Sequence, residues 1–280
     1  MQKIIQVTSL DDPELQHYRI RRHTAELQRD GLFLAEGKHV VARLLTSKLP
    51  TLSVLTTESV IPWLKENVPP AELQSTNIFL ASREFMSTLV GYDVQQPILA
   101  LGKAPIDVLP EIPASQERCL MVAVDHLTNP DNLGGIIRNC AAFGADLFIS
   151  GESSASPYYR RAVRNSMGTV FRQPVYHAEN LRQTLSELHL KWSIDIIGAH
   201  TLGSVSLQNM NFGPRICLVF GNEELGLSPE ILEICTKTAS IPLAASIDSF
   251  NVSNAAAIFL WEQHKQRHTN DLPSGTGKSA

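Results

Sequence analysis

Four small polar side chains crowd the start of one predicted helix near the end of the sequence. The segment Ile241–Ile258 reads IPLAASIDSFNVSNAAAI and passes from an apolar strand through a loop into an alanine-rich helix. Its polar residues are Ser249, Asn251, Ser253 and Asn254. A helix start usually needs about one such side chain to satisfy its free N–H groups. The surplus indicates a loop that binds a ligand through backbone and amide hydrogen bonds, although an over-polar cap has the same pattern.

A second group of polar residues follows a predicted strand that ends at Val124-Asp125. The next helix carries the sequence DNLGGIIRN, in which Asn132 fits a helix cap and the two glycines allow another chain or a ligand to approach closely. Arg138 lies further along this otherwise apolar helix. Its guanidinium can extend to water, or it can project toward a phosphate.

A third strand enters a loop that contains two glycines and two acids. Residues 219–228 read VFGNEELGLS, so Gly221 and Gly226 enclose Glu223 and Glu224. The glycines permit close approach of the backbone to a ligand. A carboxylate in this loop can orient the hydroxyl groups of a ligand, or it can hold the loop itself.

Positioning these groups requires a sheet, and the sequence predicts an α/β protein. A break at Ala104–Gln116 contains three prolines. It divides a small α/β domain (1–104) from a larger one (117–266), with a linker at 105–116 and a disordered tail at 267–280. In the larger domain continuous apolar strands alternate with helices, which indicates a mostly parallel sheet covered on both faces. Ligands bind beyond the carboxyl ends of such strands.

The predicted elements follow the apolar periodicity. Strands of the small domain are expected at Leu32–Ala35, Leu52–Thr56, Ile78–Leu80 and Ile98–Leu101, with its first helix at Pro13–Arg29. Strands of the large domain are expected at Cys119–Val124, Leu147–Ser150, Val170–Val175, Ile194–Ala199, Ile216–Phe220 and Ala239–Leu243. Its helices are expected at Leu133–Phe143, Pro157–Met167, Leu181–Leu188, Pro229–Thr236 and Val252–Gln266.

The distribution of charge is more informative than its sum. The net charge of −4 by itself argues against a nucleic-acid binder. However, the stretch from Ser153 to Ala178 contains no acid, and a second basic cluster lies near the N-terminal end. The arginines of the two clusters are Arg160, Arg161, Arg164 and Arg172, and Arg19, Arg21, Arg22 and Arg29. Such patches fit phosphate binding, and they fit two solvated helix faces equally well.

Other features limit the class of protein. No apolar run approaches the roughly 18 residues of a membrane span, and the first residues do not resemble a signal peptide, so we expect a cytoplasmic protein without membrane contact. The four cysteines have no Cys-x-x-Cys spacing, which favours buried free thiols. His264 and His268 have the spacing of two metal ligands but lack a third, so we expect no metal.

In their order along the chain, the three polar segments resemble the three motifs of the SpoU (TrmH) family of RNA ribose 2′-O-methyltransferases, within the SPOUT class. They cover most of Leu120–Glu262. The stretch PYYRRAVRNSMGTVFRQP, at Pro157–Pro174, is similar to the family's link between its first two motifs. Residues Leu15–Lys103, with GLFLAEGKHVV, resemble the family's N-terminal substrate-binding domain, which is similar to an RNA-binding ribosomal protein.

The resemblance implies a trefoil knot, a homodimer, and S-adenosyl-L-methionine as the cofactor. By position it assigns the cofactor contacts to Gly221, Ile241, Leu243 and Phe250. Arg138 would act at an active site formed with the other subunit, and Asn132, Glu223, Ser249 and Asn251 would position the loop, the ribose and Arg138. The expected RNA contacts are Arg160, Arg161, Arg164, Arg172, Arg21 and Arg22.

Two positions depart from the family pattern. The family usually has glycine at position 245, where this chain has alanine, and leucine at position 250, where it has phenylalanine. A methyl group at Ala245 narrows the loop if the position needs a positive φ. Phe250 would contribute its backbone, which the change of side chain does not remove.

The expected activity is methylation of a ribose 2′-hydroxyl, with ribosomal RNA favoured over transfer RNA because of the extra N-terminal domain. Three alternatives remain: a transfer-RNA methyltransferase, a catalytically inactive RNA-binding assembly factor, and a nucleotide- or metabolite-binding α/β protein. The joint presence of Asn132, Arg138, Glu223 and Asn251 argues against the inactive factor, because a protein that only binds RNA does not need all four.

Overall fold

The computed structural model of the chain describes residues 4–19, 24–106, 108–111, 116–244 and 249–269. Within these residues the strands are β1 (Ile4–Gln6), β2 (Leu32–Glu36), β3 (Thr51–Thr56), β4 (Asn77–Leu80), β5 (Ile98–Lys103), β6 (Cys119–Val124), β7 (Leu147–Ser150), β8 (Val175–His177), β9 (Asp195–Ala199), β10 (Val205–Ser206), β11 (Arg215–Phe220) and β12 (Lys237–Ser240). The helices are α1 (Thr24–Arg29), α2 (Lys38–Leu45), α3 (Ile61–Asn67), α4 (Pro70–Gln74), α5 (Arg83–Val90), α6 (Pro130–Phe143), α7 (Arg160–Asn165), α8 (Leu181–Trp192), α9 (Pro229–Ile234) and α10 (Val252–Thr269).

The chain divides into two compact units. Unit 1 comprises Met1–Asp107 and Ser156–Arg172, and unit 2 comprises Val108–Ala155 and Gln173–Ala280. The sequence places residues 156–172 inside the larger predicted domain, whereas in the structure this segment packs in unit 1. The rings of Tyr158 and Phe171 lie 5.2 Å and 5.4 Å from the ring of Phe33 on β2. Aromatic packing of this kind accounts for the position of the segment.

Unit 1 is built on a mixed five-stranded sheet in the order β1-β4-β3-β5-β2. Strands β1, β4 and β3 are parallel to one another, and β5 is antiparallel to both β3 and β2. The predicted strands of this region are confirmed to within a few residues, and β1 is an addition to them. Leu34, Leu55, Phe79 and Leu99 lie in its buried core, together with Tyr18.

Unit 2 is built on a seven-stranded sheet in the order β10-β12-β9-β11-β6-β7-β8, in which every neighbouring pair is parallel. All six residues of β6 are buried, as are the last five of β11. Strands that are buried on both faces are apolar at every position rather than at alternate ones. The predicted α/β class with mostly parallel pairing is therefore confirmed.

Because the strands of unit 2 are parallel, their carboxyl ends lie next to one another at the same edge of the sheet. Val124 at the end of β6 pairs with Phe220 at the end of β11. Strand β12 pairs with β9, which in turn pairs with β11. The residues that follow these strands, Asp125, Gly221 and Ile241, therefore lie at one edge of the sheet.

The helix predicted at Pro157–Met167 is the shorter α7, and the strand predicted at Ala239–Leu243 is β12, which ends at Ser240. Two other predicted elements differ in kind. The predicted strand Val170–Val175 is wrong: residues Thr169–Phe171 form a 3-10 helix after Gly168, whose φ is 74°, and the strand begins at Val175. The segment turns here because Phe171 packs in unit 1. The predicted helix Pro13–Arg29 is also not continuous, since a 3-10 helix covers Pro13–Tyr18 and α1 begins at Thr24.

No helix among the described residues is long and apolar enough to cross a membrane. The predicted tail at 267–280 lies outside the described residues from 270 onward, and α10 continues to Thr269.

The four cysteines are free thiols, and three of them are buried. Burial raises the pKa of Cys119 and of Cys235 to about 11, and it raises the pKa of Cys140 and Cys217 as well.

Since the thiolate is the reactive form, we predict that iodoacetamide at about pH 8 labels the cysteines of the folded chain at least about tenfold more slowly than those of the denatured chain. Mass spectrometry of time points measures this, and complete labelling under native conditions would contradict it.

Candidate active site

Helix α6 begins three residues earlier than the sequence predicts, and this changes the role of Asn132. Asn129 is the N-cap, where its Oδ1 accepts a hydrogen bond from the N–H of Asp131 at 2.9 Å, and Pro130 occupies the first turn. The prediction that Asn132 caps the helix is therefore wrong. Its side chain lies inside the first turn and is available for contacts with other segments.

Asn132 joins the three polar segments into one hydrogen-bonded network. Its Nδ2 donates to Oε1 of Glu223 at 2.5 Å, and its Oδ1 accepts from Nδ2 of Asn251 at 2.9 Å. These partners lie 91 and 119 residues away along the chain. Three of the predicted site residues thus meet at the carboxyl edge of the unit 2 sheet.

Asn251 also caps α10. Its Oδ1 accepts hydrogen bonds from the N–H groups of Ser253 and Asn254 at 3.0 and 3.3 Å. The amide group of Asn251 therefore satisfies the helix start with its oxygen and reaches Asn132 with its nitrogen. The excess of polar residues at the start of α10 is thus explained in part by helix capping and in part by the hydrogen bond to Asn132.

One face of α6 packs closely against the start of α10. A Cβ atom at Gly135 would lie 2.3 Å from Oγ and 3.1 Å from Cβ of Ser253, so any side chain at this position requires Ser253 to shift. Asn139 donates from Nδ2 to the carbonyl oxygen of Ser253 at 2.9 Å. Asn139 is absent from the predicted site, although its distance of seven residues from Asn132 places the two side chains on the same helix face.

The loop Gly221–Ser228 is closed on itself. Asn222 and Gly226 exchange two backbone hydrogen bonds of 2.9 Å, and Oδ1 of Asn222 accepts from the N–H groups of Glu224 and Leu225. A Cβ atom at Gly221 would lie 2.2 Å from the carbonyl carbon and oxygen of Gly226. Gly221 is thus required because a larger residue would collide with the backbone of Gly226. Asn222 is a further residue that the sequence prediction omits.

Arg138 is exposed and lies on a different face of α6 from Asn132. Six residues at about 100° per residue place the two side chains about 120° apart around the helix. The structure therefore does not bring Arg138 into the network of the same chain.

The remaining predicted cofactor and site residues follow β12. Ile241 and Leu243 are partly buried, and Ser249 and Phe250 are exposed, with 46% of Phe250 accessible. Residues 241–244 and 249–250 form neither helix nor strand. Ala245 lies outside the described residues.

Of the predicted RNA-binding arginines, Arg160 is occupied inside unit 1. Its Nη1 contacts Oε2 of Glu36 and donates to the hydroxyl of Tyr92 at 2.8 Å, while its guanidinium lies 4.7 Å from the Tyr92 ring centre. The Tyr92 hydroxyl donates to the same carboxylate at 3.0 Å. Burial, followed by the charge of Glu36, raises the pKa of Tyr92.

The other arginines of this cluster lie at the surface. Arg161, Arg164 and Arg172 are exposed, and Nη1 of Arg164 lies 4.0 Å from Oε1 of Glu36. Arg21 and Arg22 lie outside the described residues. Among the residues that the structure describes, no group of three or more His, Cys, Asp or Glu could hold a metal ion.

The family comparison matches the region that contains this network. Residues 119–261 match the sequence model of the SpoU rRNA Methylase family. An uncharacterized tRNA/rRNA methyltransferase of Mycobacterium avium (strain 104) is 32% identical over 212 residues, which cover 73% of this chain and 67% of the relative. One from Mycobacterium tuberculosis (strain ATCC 25618 / H37Rv) is 29% identical over 272 residues, which cover 92% and 91%.

Solved structures share the fold over nearly the whole chain. The SpoU methyltransferase AviRb from Streptomyces viridochromogenes, solved in complex with the cofactor AdoMet, has a TM-score of 0.80 and 26% identity, and the match covers 92% of this chain and 99% of that one. An AdoMet-bound rRNA methyltransferase from Sinorhizobium meliloti has a TM-score of 0.78 and 25% identity, with 97% and 99% covered.

Substitution of Gly221 tests whether the loop needs its close packing. We predict that Gly221→Ala lowers the free energy of unfolding by about 1–3 kcal/mol, because the added methyl group has no space. Urea denaturation measures the change. Gly226→Asn is the comparison in the same loop: its φ of 71° strains any side chain, but asparagine tolerates this region best and no atom lies within 4 Å of the added Cβ, so it should cost less than Gly221→Ala. Equal stability of Gly221→Ala and the wild type would contradict the prediction.

Proposed function

The chain belongs to the SpoU rRNA methylase family, and from that premise we propose that it methylates ribose 2′-hydroxyls of ribosomal RNA with S-adenosyl-L-methionine as the methyl donor. The observation that carries the proposal is the network in which Asn132, Glu223 and Asn251 meet. These three polar side chains lie at the sheet edge where ligands of parallel α/β proteins bind.

The residues after β11 and β12 fit the cofactor. Among the described residues, no hydrogen bond involves the backbone of Ile241, Leu243 or Phe250, and we propose that their N–H and C=O groups bind the cofactor. The partly buried side chains of Ile241 and Leu243 suit an apolar ring. Gly221 lets the backbone of the second loop come close. When bound, the cofactor supplies an electrophilic methyl group on a sulfonium centre.

The chain's own polar residues would orient the nucleophile. A ribose hydroxyl is weakly nucleophilic, so its oxygen must be aligned and its proton removed. Asn132 occupies one carboxylate oxygen of Glu223, which leaves the other oxygen to accept a hydrogen bond from a ribose hydroxyl. Asn251 holds Asn132, and with Ser249 it would fix the entrance of α10.

Arg138 would hold the phosphate next to the target ribose. A guanidinium stays protonated in proteins and is a poor base, whereas its planar fork matches phosphate oxygens. Because Arg138 lies about 120° around α6 from Asn132, it would complete the site of a second protomer rather than its own. We therefore infer a homodimer.

An exposed aromatic cluster supports the homodimer. Trp261 on α10 is 56% exposed, and its ring lies 6.2 Å from that of His264 and 6.3 Å from that of Phe143 at the end of α6. Exposed aromatic side chains of this kind are enriched at protein interfaces. The cluster and Arg138 both belong to the α6–α10 pair.

We also infer that unit 2 is knotted. Strand β12 pairs with β9 although β10 and β11 lie between them in sequence, and α10 then returns to pack on α6. In a trefoil knot the end of the chain passes through a loop, and this strand order fits such a path. The knot would hold the Gly221 loop and the segment after β12 on the same ligand.

Ribosomal RNA is the proposed substrate because unit 1 would supply a separate RNA-binding surface. The exposed Arg161, Arg164 and Arg172 would contact phosphates.

One experiment tests the proposed activity and substrate together. Ribosomal and transfer RNA are labelled with methyl-tritiated S-adenosylmethionine, and the alkali-resistant linkages are mapped. Label in ribosomal RNA at a 2′-O-methyl nucleotide supports the proposal, label in transfer RNA corrects the substrate, and the absence of label refutes the activity.

We predict that Arg138→Ala lowers methyl transfer by at least about 100-fold with S-adenosylmethionine affinity retained, because the residue would act on RNA rather than on the cofactor. Single-turnover transfer and calorimetric titration measure the two quantities. Arg182→Ala is the control, since Arg182 is an exposed arginine on α8 that pairs with Glu233 at 3.3 Å. Turnover by Arg138→Ala equal to that of the wild type would exclude the role.

The arginine cluster should separate into a structural and an RNA-binding part. We predict that Arg160→Ala lowers the free energy of unfolding by at least about 2 kcal/mol, because the buried carboxylate of Glu36 loses its closer arginine and keeps only Arg164 at 4.0 Å. Arg172→Ala should leave stability unchanged and lower the slope of log K against log salt for RNA binding by about 0.7–0.9. Chemical denaturation and binding at several salt concentrations measure both, and identical behaviour of the two variants would contradict the division.

A further inference from the structure

A buried carboxylate at the end of β6 has no part in the proposed chemistry. The side chain of Asp125 is 4% exposed. In the described part of unit 2 it is the one buried acid. A carboxylate is removed from water only where other groups satisfy its oxygens. The contacts of Asp125 therefore indicate what the residue does.

Both oxygens of Asp125 are used. Oδ2 accepts a hydrogen bond of 2.7 Å from the backbone N–H of Ser228, which is the N-cap of α9 and the last residue of the Gly221–Ser228 loop. Oδ1 lies 2.5 Å from Nδ1 of His126. One carboxylate thus connects the end of the loop to the turn that follows β6.

The start of the loop is attached to the same turn. The N–H of Asp125 donates to the carbonyl oxygen of Phe220 at 2.8 Å, and Nδ2 of Asn222 donates to the carbonyl oxygen of His126 at 2.9 Å. His126 has a φ of 52°, which is uncommon for a residue with a side chain. The turn at 125–126 therefore contacts both ends of the loop.

We propose that Asp125 is a positioning residue that fixes the Gly221–Ser228 loop and through it sets the affinity for S-adenosylmethionine. The assignment of the loop to the cofactor rests on the proposed function, whereas the fixing of the loop does not. Because Gly221 is packed against Gly226 without space for one more carbon atom, a small shift at Ser228 moves the whole loop.

Hydrogen exchange of the cofactor-free protein tests the fixing of the loop. Asp125→Ala removes both acceptor oxygens, and Asp125→Asn keeps one oxygen for the N–H of Ser228. We expect amide exchange in residues 221–228 to rise at least about tenfold in Asp125→Ala and less in Asp125→Asn. Unchanged exchange in both variants overturns the proposal, whether or not the protein is a methyltransferase.

Calorimetric titration with S-adenosylmethionine and steady-state kinetics test the second part. The dissociation constant and the KM for S-adenosylmethionine should rise about tenfold in Asp125→Ala and less in Asp125→Asn, with the KM for RNA unchanged. Unchanged affinity in folded variants overturns this part. A wild-type protein that neither binds S-adenosylmethionine nor transfers methyl groups refutes the proposed function and the cofactor part together, while the exchange result still decides the fixing of the loop.

Two further variants separate positioning from general destabilisation. Asp146→Asn is the matched control, because Oδ2 of Asp146 accepts from the N–H of Leu120 at 2.8 Å near the opposite end of β6. It should leave loop exchange and cofactor affinity unchanged. If Asp125→Ala does not fold, Ser228→Pro removes only the N–H that donates to Oδ2 of Asp125, and the φ of −63° at this position suits proline. Faster loop exchange in Ser228→Pro without a lower melting temperature supports the proposal, and unchanged exchange overturns it.

Discussion

Parallel pairing of β6, β9, β11 and β12 is the constraint on which the site depends. It brings the carboxyl ends of strands that are far apart in sequence to one edge, so that the residues after each strand become neighbours. Neither the network of Asn132 nor the contacts of Asp125 could form if one of these strands ran in the opposite direction. The helical crossovers keep that direction fixed, because α6 returns the chain to the starting edge of the sheet between β6 and β7.

The close approach of α6 and α10 then sets the geometry of the network at the level of single atoms. Gly135 removes the side chain that would separate the two helices, and Asn139 bonds to the backbone of Ser253. Asn251 is held between its own helix start and Asn132. Each side chain of the network is thus held by at least one hydrogen bond in the protein before any ligand binds, which reduces the side-chain freedom that binding would otherwise remove.

The sequence was sufficient for what depends on local pattern. Apolar runs such as Cys119–Val124 and Ile216–Phe220 predict the central strands to within one residue, and the three polar segments mark the sheet edge. The cap of α6 was misplaced because Asn129 and Asn132 are both suitable residues, and only the position of Pro130 in the first turn separates them. Asp125 and Asn139 were missed as site residues because their partners lie 103 and 114 residues away. Local sequence patterns cannot predict contacts between residues that lie so far apart in the chain.

For the same reason the sequence assigns residues 156–172 to the larger domain instead of unit 1. Their partners Phe33 and Glu36 lie more than a hundred residues earlier in the chain. This segment has a consequence for the order of events during synthesis. The core of unit 1 includes residues that the ribosome adds only after β6, α6 and β7 of unit 2. N-terminal domains generally fold first as a chain emerges, but within the described residues the arginines that pair with the buried carboxylate of Glu36 are Arg160 and Arg164. The core of unit 1 is therefore completed only after this part of unit 2 has been synthesised.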